Sequence, residues 1–166
     1  MKSTNFIPIA MLAFAAACSE NATDPVTIDT PSFGNAHFIK NATSCTLSGL
    51  NLVCSFKETG LESGSVQTVT LSAFGTATYE CWNNGGKHPR AQNKETISAD
   101  LTVSGTFSAD KNGNITGQLT LSPAGPGSFS CPPGQSLVGP TDVSYTSVSI
   151  EDSSTGVTFF VAGTFD

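Results

Sequence analysis

The chain has 166 residues, with seven Lys and Arg against thirteen Asp and Glu, a net charge of −6, and five cysteines. That length is enough for one domain with its own core. The acidic balance disfavours nucleic acid and anionic lipid headgroups as partners for the surface as a whole. A mixture rich in Thr, Ser and Gly, with no long Leu/Ala/Glu/Lys stretch, disfavours helices.

At the N-terminus, Lys2 is the only charge before Glu20, and Phe6 to Ala17 is apolar apart from Pro8. This run matches a signal-peptide core and falls short of the roughly 20 residues a transmembrane helix needs. Residues 1–17 are therefore expected to be an export signal. It ends in Ala15-Ala16-Ala17-Cys18. These residues resemble the lipobox of bacterial lipoproteins, in which small residues precede a cysteine. The resemblance stops at Cys18 and says nothing of the folded domain. It implies diacylglycerol on the Cys18 sulfur, cleavage before that residue, and acylation of the new amine. The implied partner is a lipid bilayer, and the implied location is the cell envelope, facing away from the cytoplasm. Ser19 in place of Asp fits sorting to the outer membrane if the cell has two membranes. The alternative is an ordinary secretory signal cut at the same Ala-x-Ala. Cysteine parity opposes it, because four cysteines remain if Cys18 carries lipid and one thiol is left over if it does not.

Residues 18–32 contain Pro25, Pro31 and little aliphatic bulk, and read as a flexible tether. Residues 33–166 then form one domain in which turn signals separate segments of period-2 alternation. Ala36 to Ile39 is expected to be a strand, followed by two strands around Gly49. Taking Gly49-Leu50 as a type II′ turn sets Ser48 opposite Asn51 and Cys45 opposite Cys54. Counted outward, the cysteines fall on a non-hydrogen-bonded pair, where Cα atoms approach ~4.5 Å, within disulfide range. Cys45, Leu47, Leu52, Cys54 and Phe56 then share one face. Cys81 and Cys131 pair by elimination. From Val66 to Cys81 the odd positions are mostly apolar and the even ones polar. Phe74 breaks the phase beside Gly75, which predicts a bulge or sharp bend there. Leu101, Val103 and Phe107 alternate with hydroxyl residues, as do Ile115, Leu119 and Leu121. Asp110 to Asn114 reads as a hairpin turn with Gly113 at positive φ. Val143 and Tyr145 share one phase and Val148 and Ile150 the other, so a slip near Ser147 is expected. Val157, Phe159, Val161 and Phe165 end the chain.

Roughly eight or nine strands with short connections predict an all-β, antiparallel β-sandwich of immunoglobulin-like or Greek-key type, with a barrel as the alternative. Such folds host many functions. Phe56, Phe107, Phe129, Phe159 and Phe165 are expected in the core.

The Cys81–Cys131 bridge is expected to draw the loop after Cys81 close to Pro132-Pro133-Gly134-Gln135. The loop at 82–94 holds the only Trp and four of the nine Lys, Arg and His residues. As a ligand site it offers Trp82 for stacking, Asn83 and Asn84 for amide hydrogen bonds, and Lys87, His88 and Arg90 for charge. Otherwise it is a solvated loop whose Trp covers the edge of the domain. No His/Cys spacing fits a zinc site, and no metal or cofactor is expected. No G-x-S-x-G elbow is present, and a Ser/His/acid set is easily assembled by chance from a Ser-rich chain. Carboxylate pairs are Glu58 with Glu62 and Glu151 with Asp152, although adjacent strand residues such as the latter point to opposite faces. The expectation is a membrane-anchored monomer, not an enzyme, with a binding or envelope-structural role toward a glycan or an envelope protein. A carbohydrate- or peptidoglycan-binding module using the Trp82–Lys94 loop is the alternative, and a secreted hydrolase or inhibitor is a weaker one.

Overall fold

The computed structural model describes residues 34–83 and 93–166, all within one compact unit. The export signal, Cys18 and the tether lie outside those residues. The alternating segments form eight strands: β1 (His37–Phe38), β2 (Ser44–Ser48), β3 (Asn51–Thr59), β4 (Val66–Asn83), β5 (Lys94–Ser108), β6 (Ile115–Leu121), β7 (Gln135–Asp152) and β8 (Val157–Val161). One 3₁₀ turn, Lys40–Ala42, separates β1 from β2. Among the described residues there is no α-helix, and hence none long and apolar enough to cross a membrane.

Two four-stranded antiparallel sheets result. In the first, β3 is central, with β6 along one edge and β2 and β1 in line along the other. In the second, the order is β5-β4-β7-β8. The chain changes sheet from β3 to β4, from β5 to β6 and from β6 to β7. The neighbouring pairs β3/β6 and β4/β7 therefore interlock, as strands B/E and C/F do in an immunoglobulin-type sandwich. The sheets do not close on each other, which settles the architecture as a sandwich rather than the alternative barrel.

Alternation explains the core. Leu52 and Phe56 on β3, Val69 and Leu71 on β4, and Tyr145 and Ile150 on β7 have no exposure. Burying each such side chain contributes ~1.5–3 kcal/mol. Phe56 meets Phe38 and Phe107 edge-on, at 6.0 and 5.0 Å between ring centroids, and Phe159 packs on Phe38. Phe56 lies in the core, and the other four aromatics assigned to it, Phe107, Phe129, Phe159 and Phe165, are partly buried and pack against it. The outer face carries the hydroxyl residues. Thr70 bonds Ser104 and Thr78 bonds Thr96 across β4 and β5, at 2.8 and 2.9 Å.

The first hairpin keeps its expected register, Ser48 with Asn51 and Cys45 with Cys54. Gly49 has φ +63 while Leu50 is not at positive φ, the pattern of a type II′ turn. Cys45 and Cys54 form a disulfide across a Cα separation of 4.0 Å, and Cys81 and Cys131 form the second across 5.5 Å.

Two expectations are corrected. The break at Phe74 is not a bulge of β4. Pairing of β4 with β5 runs unbroken through Phe74–Asp100 and Gly75–Ala99. The irregularity lies on β7, where Ser147 at φ +52 adds a residue opposite the Ser72 to Phe74 segment. That slip turns Val148 inward after Tyr145, as the phase change near Ser147 predicted. Phe74 simply points outward, 42 % exposed. Gly75 is small because the Leu101 side chain occupies the place of a Cβ. The second correction concerns Asp110–Asn114. Gly113 does take positive φ, at +71. However, β5 and β6 belong to different sheets, so this turn is a corner between sheets, not a hairpin. It is pinned there because Leu61 N–H donates to Gly113 O at 3.1 Å, and any Cβ on Gly113 meets the Leu61 carbonyl. Asp110 Oδ1 accepts the amides of Asn114 and Asn112, which hold its carboxyl below the usual range.

Candidate functional site

The end of the second sheet where β4 meets the start of β7 gathers the sequence's one unusual loop. Trp82 pairs with Ser136 and Asn83 with Gln135, and Cys81 just before them is bridged to Cys131. The expected approach of the two loops therefore occurs. Trp82 stands two residues after Glu80, so both side chains lie on the outer face of β4. Trp82 Nε1–H donates to Glu80 Oε2 at 2.9 Å. Lys94, paired with Glu80 across β5, forms an ion pair with Glu80 Oε1. The Thr141 hydroxyl lies 3.2 Å from Thr78 O and 3.4 Å from the same Glu80 oxygen. Lys94 first, and then the indole N–H, hold the Glu80 carboxyl below its ordinary value.

A second chain of bonds runs beside it. Asn93 Nδ2 donates to Gln135 Oε1 at 3.0 Å, and Gln135 Nε2 donates to Asn83 Oδ1 at 3.1 Å. These amides fix one another's orientation, which presents donors and acceptors in set directions. The result is a charged, hydrogen-bonded carboxylate beside a half-buried indole and a row of amides. Of the expected binding residues, Trp82 and Asn83 come together here. Asn84, Lys87, His88 and Arg90 lie outside the described residues. Nothing in the sequence pattern marks Glu80, Thr141 or Gln135 as a binding group. Only the shared face of Glu80 and Trp82 is open to reading, from their spacing of two.

The expected carboxylate pairs do not form. Glu62 and Glu151 are exposed, whereas Glu58 and Asp152 are each fully buried. The proximity instead joins one member of each expected pair: Thr155 Oγ1 lies 3.4 Å from Glu58 Oε1 and 3.4 Å from Asp152 O, and the Asp152 charge acts on Glu58. Neither carboxyl meets solvent, so no substrate reaches them for acid/base work. His37 is exposed on β1, its Nδ1 2.7 Å from Asn35 O. No group of three His, Cys, Asp or Glu is placed to hold a metal ion among the described residues. Two open depressions of about 460 Å³ lie elsewhere. One surrounds Phe74, Asp100 and Leu101 on the outer face, and the other lies between β2 and β8 at Cys45, Phe159 and Phe165. No protein-family model, curated protein or solved structure matches the chain.

Proposed function

We propose that this chain is a lipid-anchored, extracytoplasmic β-sandwich with a non-enzymatic binding or envelope-structural role. The observation that carries the reading is the fate of the cysteines. Cys45 pairs with Cys54 and Cys81 with Cys131, which fits an oxidising compartment and leaves Cys18 as the odd one. Cys18 closes the lipobox-like Ala15-Ala16-Ala17 and needs no protein partner if it carries lipid. Each buried CH₂ of an acyl chain contributes ~0.8 kcal/mol to anchoring, so several chains hold the domain stably at a bilayer. Mass spectrometry of the processed N-terminal peptide tests this. The expected peptide begins at Cys18 with diacylglycerol on its sulfur, and Cys18→Ser is expected to leave the membrane fraction. An unmodified Cys18 thiol on the mature chain removes the proposal.

A second reading, that the domain binds a glycan such as peptidoglycan, is favoured by the Glu80–Trp82–Lys94 cluster and the Asn83–Gln135–Asn93 amides beside it. An indole held by its N–H keeps its ring in a fixed plane for stacking on a sugar. A glycan array read with wild type and Trp82→Ala is expected to show binding that weakens about tenfold in the variant, a loss of ~1.4 kcal/mol. Wild-type signal no higher than background leaves only the first reading.

A further inference from the structure

We propose that Glu58 and Asp152 share a single proton and form a pH-sensitive latch between the two sheets, closed while the proton is in place and loosened when it is lost. Glu58 sits on β3 of the first sheet and Asp152 at the end of β7 of the second, and neither has any exposure. Two of their four oxygens have neutral donors. Thr155 Oγ1 lies 3.4 Å from Glu58 Oε1, and Ser154 N–H donates to Asp152 Oδ1 at 2.9 Å. The other two, Glu58 Oε2 and Asp152 Oδ2, are buried without a donor. Two ionised carboxylates cannot stay in contact out of water at low cost, because each is an acceptor only and their charges repel. One proton resolves both problems. Glu58 Oε2–H then donates to Asp152 Oδ2, and the pair carries one charge instead of two.

Among the described residues, no cation is placed to replace that proton. Around the pair, β1 sets Phe38 and β6 sets Ile115 opposite Glu58, and β4 sets Val69 and β8 sets Val157 opposite Asp152. His37 is exposed and bonded to Asn35, and Lys57 is partly exposed and acts on Asp110. Among the described residues, Asp152 is the one charge acting on Glu58. Burial first, and then the Asp152 charge and hydrogen bond, push the Glu58 carboxyl up from 4.5 to about 7, against a small opposing effect of Thr155.

The sign follows from linkage. Folding raises the value, so the folded chain holds a proton that the unfolded chain releases between pH 4.5 and about 7. The stabilisation is complete below 4.5 and is lost as pH rises through about 7. In that window the unfolding constant is expected to rise about tenfold per pH unit and then level off.

The test follows unfolding of the chain as the cell processes it, disulfides intact, from pH 5 to 8.5. Glu58→Gln keeps a donor against Asp152 without a proton to lose. It is expected to flatten the profile between pH 5 and 7 and to exceed wild type in stability at pH 8.5. Equal slopes in the two proteins overturn the latch. In wild type alone, the Glu58 carboxyl ¹³C resonance is expected to titrate near 7. A midpoint near 4.5 overturns it, whether or not the variant folds. Calcium that stabilises wild type at pH 8.5 but not Glu58→Gln also overturns it, in favour of a buried cation site.

Discussion

Tyr145 lies on β7 with no exposure and donates its hydroxyl to Leu50 O in the β2–β3 turn, at 2.8 Å. One side chain thus fills the core and ties a turn of one sheet to the centre of the other. Tyr79 does the same toward the β6–β7 connection, donating to Ala124 O at 2.7 Å. Removing the hydroxyl of Tyr145 keeps the ring and its packing. The Leu50 carbonyl stands in a turn residue that is 38 % exposed, so water can replace the lost donor. Tyr145→Phe is therefore expected to cost ~1 kcal/mol in denaturant unfolding, not the larger penalty of a stranded buried acceptor. A loss above about 3 kcal/mol contradicts this, because that figure belongs to an acceptor with no access to water. Burial first, with a smaller effect of Tyr79, raises the Tyr145 hydroxyl above its ordinary value of 10.0. Its stabilising proton is held below that value and lost as alkaline pH passes the folded one, so Tyr145→Phe is expected to remove this part of the alkaline fall in stability.

The two disulfides act at the level of strands, and their loops differ fivefold in length. Cys45–Cys54 closes 9 residues across a turn that already sets the register, whereas Cys81–Cys131 closes 50 and joins β4 to the β6–β7 connection. The chain-entropy model gives ~4 kcal/mol for the long loop and ~2.5 kcal/mol for the short one. Cys45, Cys54 and Cys81 are buried and Cys131 is only partly so, which means lost sulfur packing weighs against the short-bridge pair and works against the loop-entropy order. On loop entropy, Cys81→Ala with Cys131→Ala is still expected to lower the unfolding free energy more than Cys45→Ala with Cys54→Ala. The reverse order in denaturant titrations rules out loop entropy as the main source of the difference. The short bridge was legible from Gly49 and period-2 counting, because a two-residue turn fixes every pair beyond it. The long bridge followed by elimination, and the core aromatics from their phase. The sheet assignment of β5 and β6 was not legible, since Asp110–Asn114 has the same turn chemistry in a hairpin and in a corner. The Glu58–Asp152 contact was equally hidden, because it depends on which strands face each other across the core. At the candidate site, Trp82 and Asn83 stood out by composition, whereas Glu80, Thr141 and Gln135 depend on cross-strand register.

At the scale of the whole molecule, the interlocked pairs decide how the domain comes apart. The connections β3 to β4 and β6 to β7 both cross between sheets, so neither sheet is a continuous piece of chain that can leave alone. Tyr145–Leu50, the Phe56–Phe107 and Phe38–Phe159 ring contacts and the buried Glu58 and Asp152 carboxyls add ties across the same interface. Opening one sheet therefore exposes the core of the other and forfeits its burial as well. The domain is expected to unfold as one cooperative unit, within the size range where two-state behaviour is common. Native-state amide hydrogen exchange reads this directly, because each sheet reports through its own central strand. The amides of Leu52, Cys54 and Phe56 on β3 and those of Leu71, Ala73 and Ala77 on β4 are expected to open with the same free energy. Removing the Cys81–Cys131 bridge is expected to lower both sets equally, although it lies at the far end of the second sheet. If the β3 amides exchange through a distinctly cheaper opening than those of β4, the sheets are separable units, and the interlock of their central strands does not couple their stability.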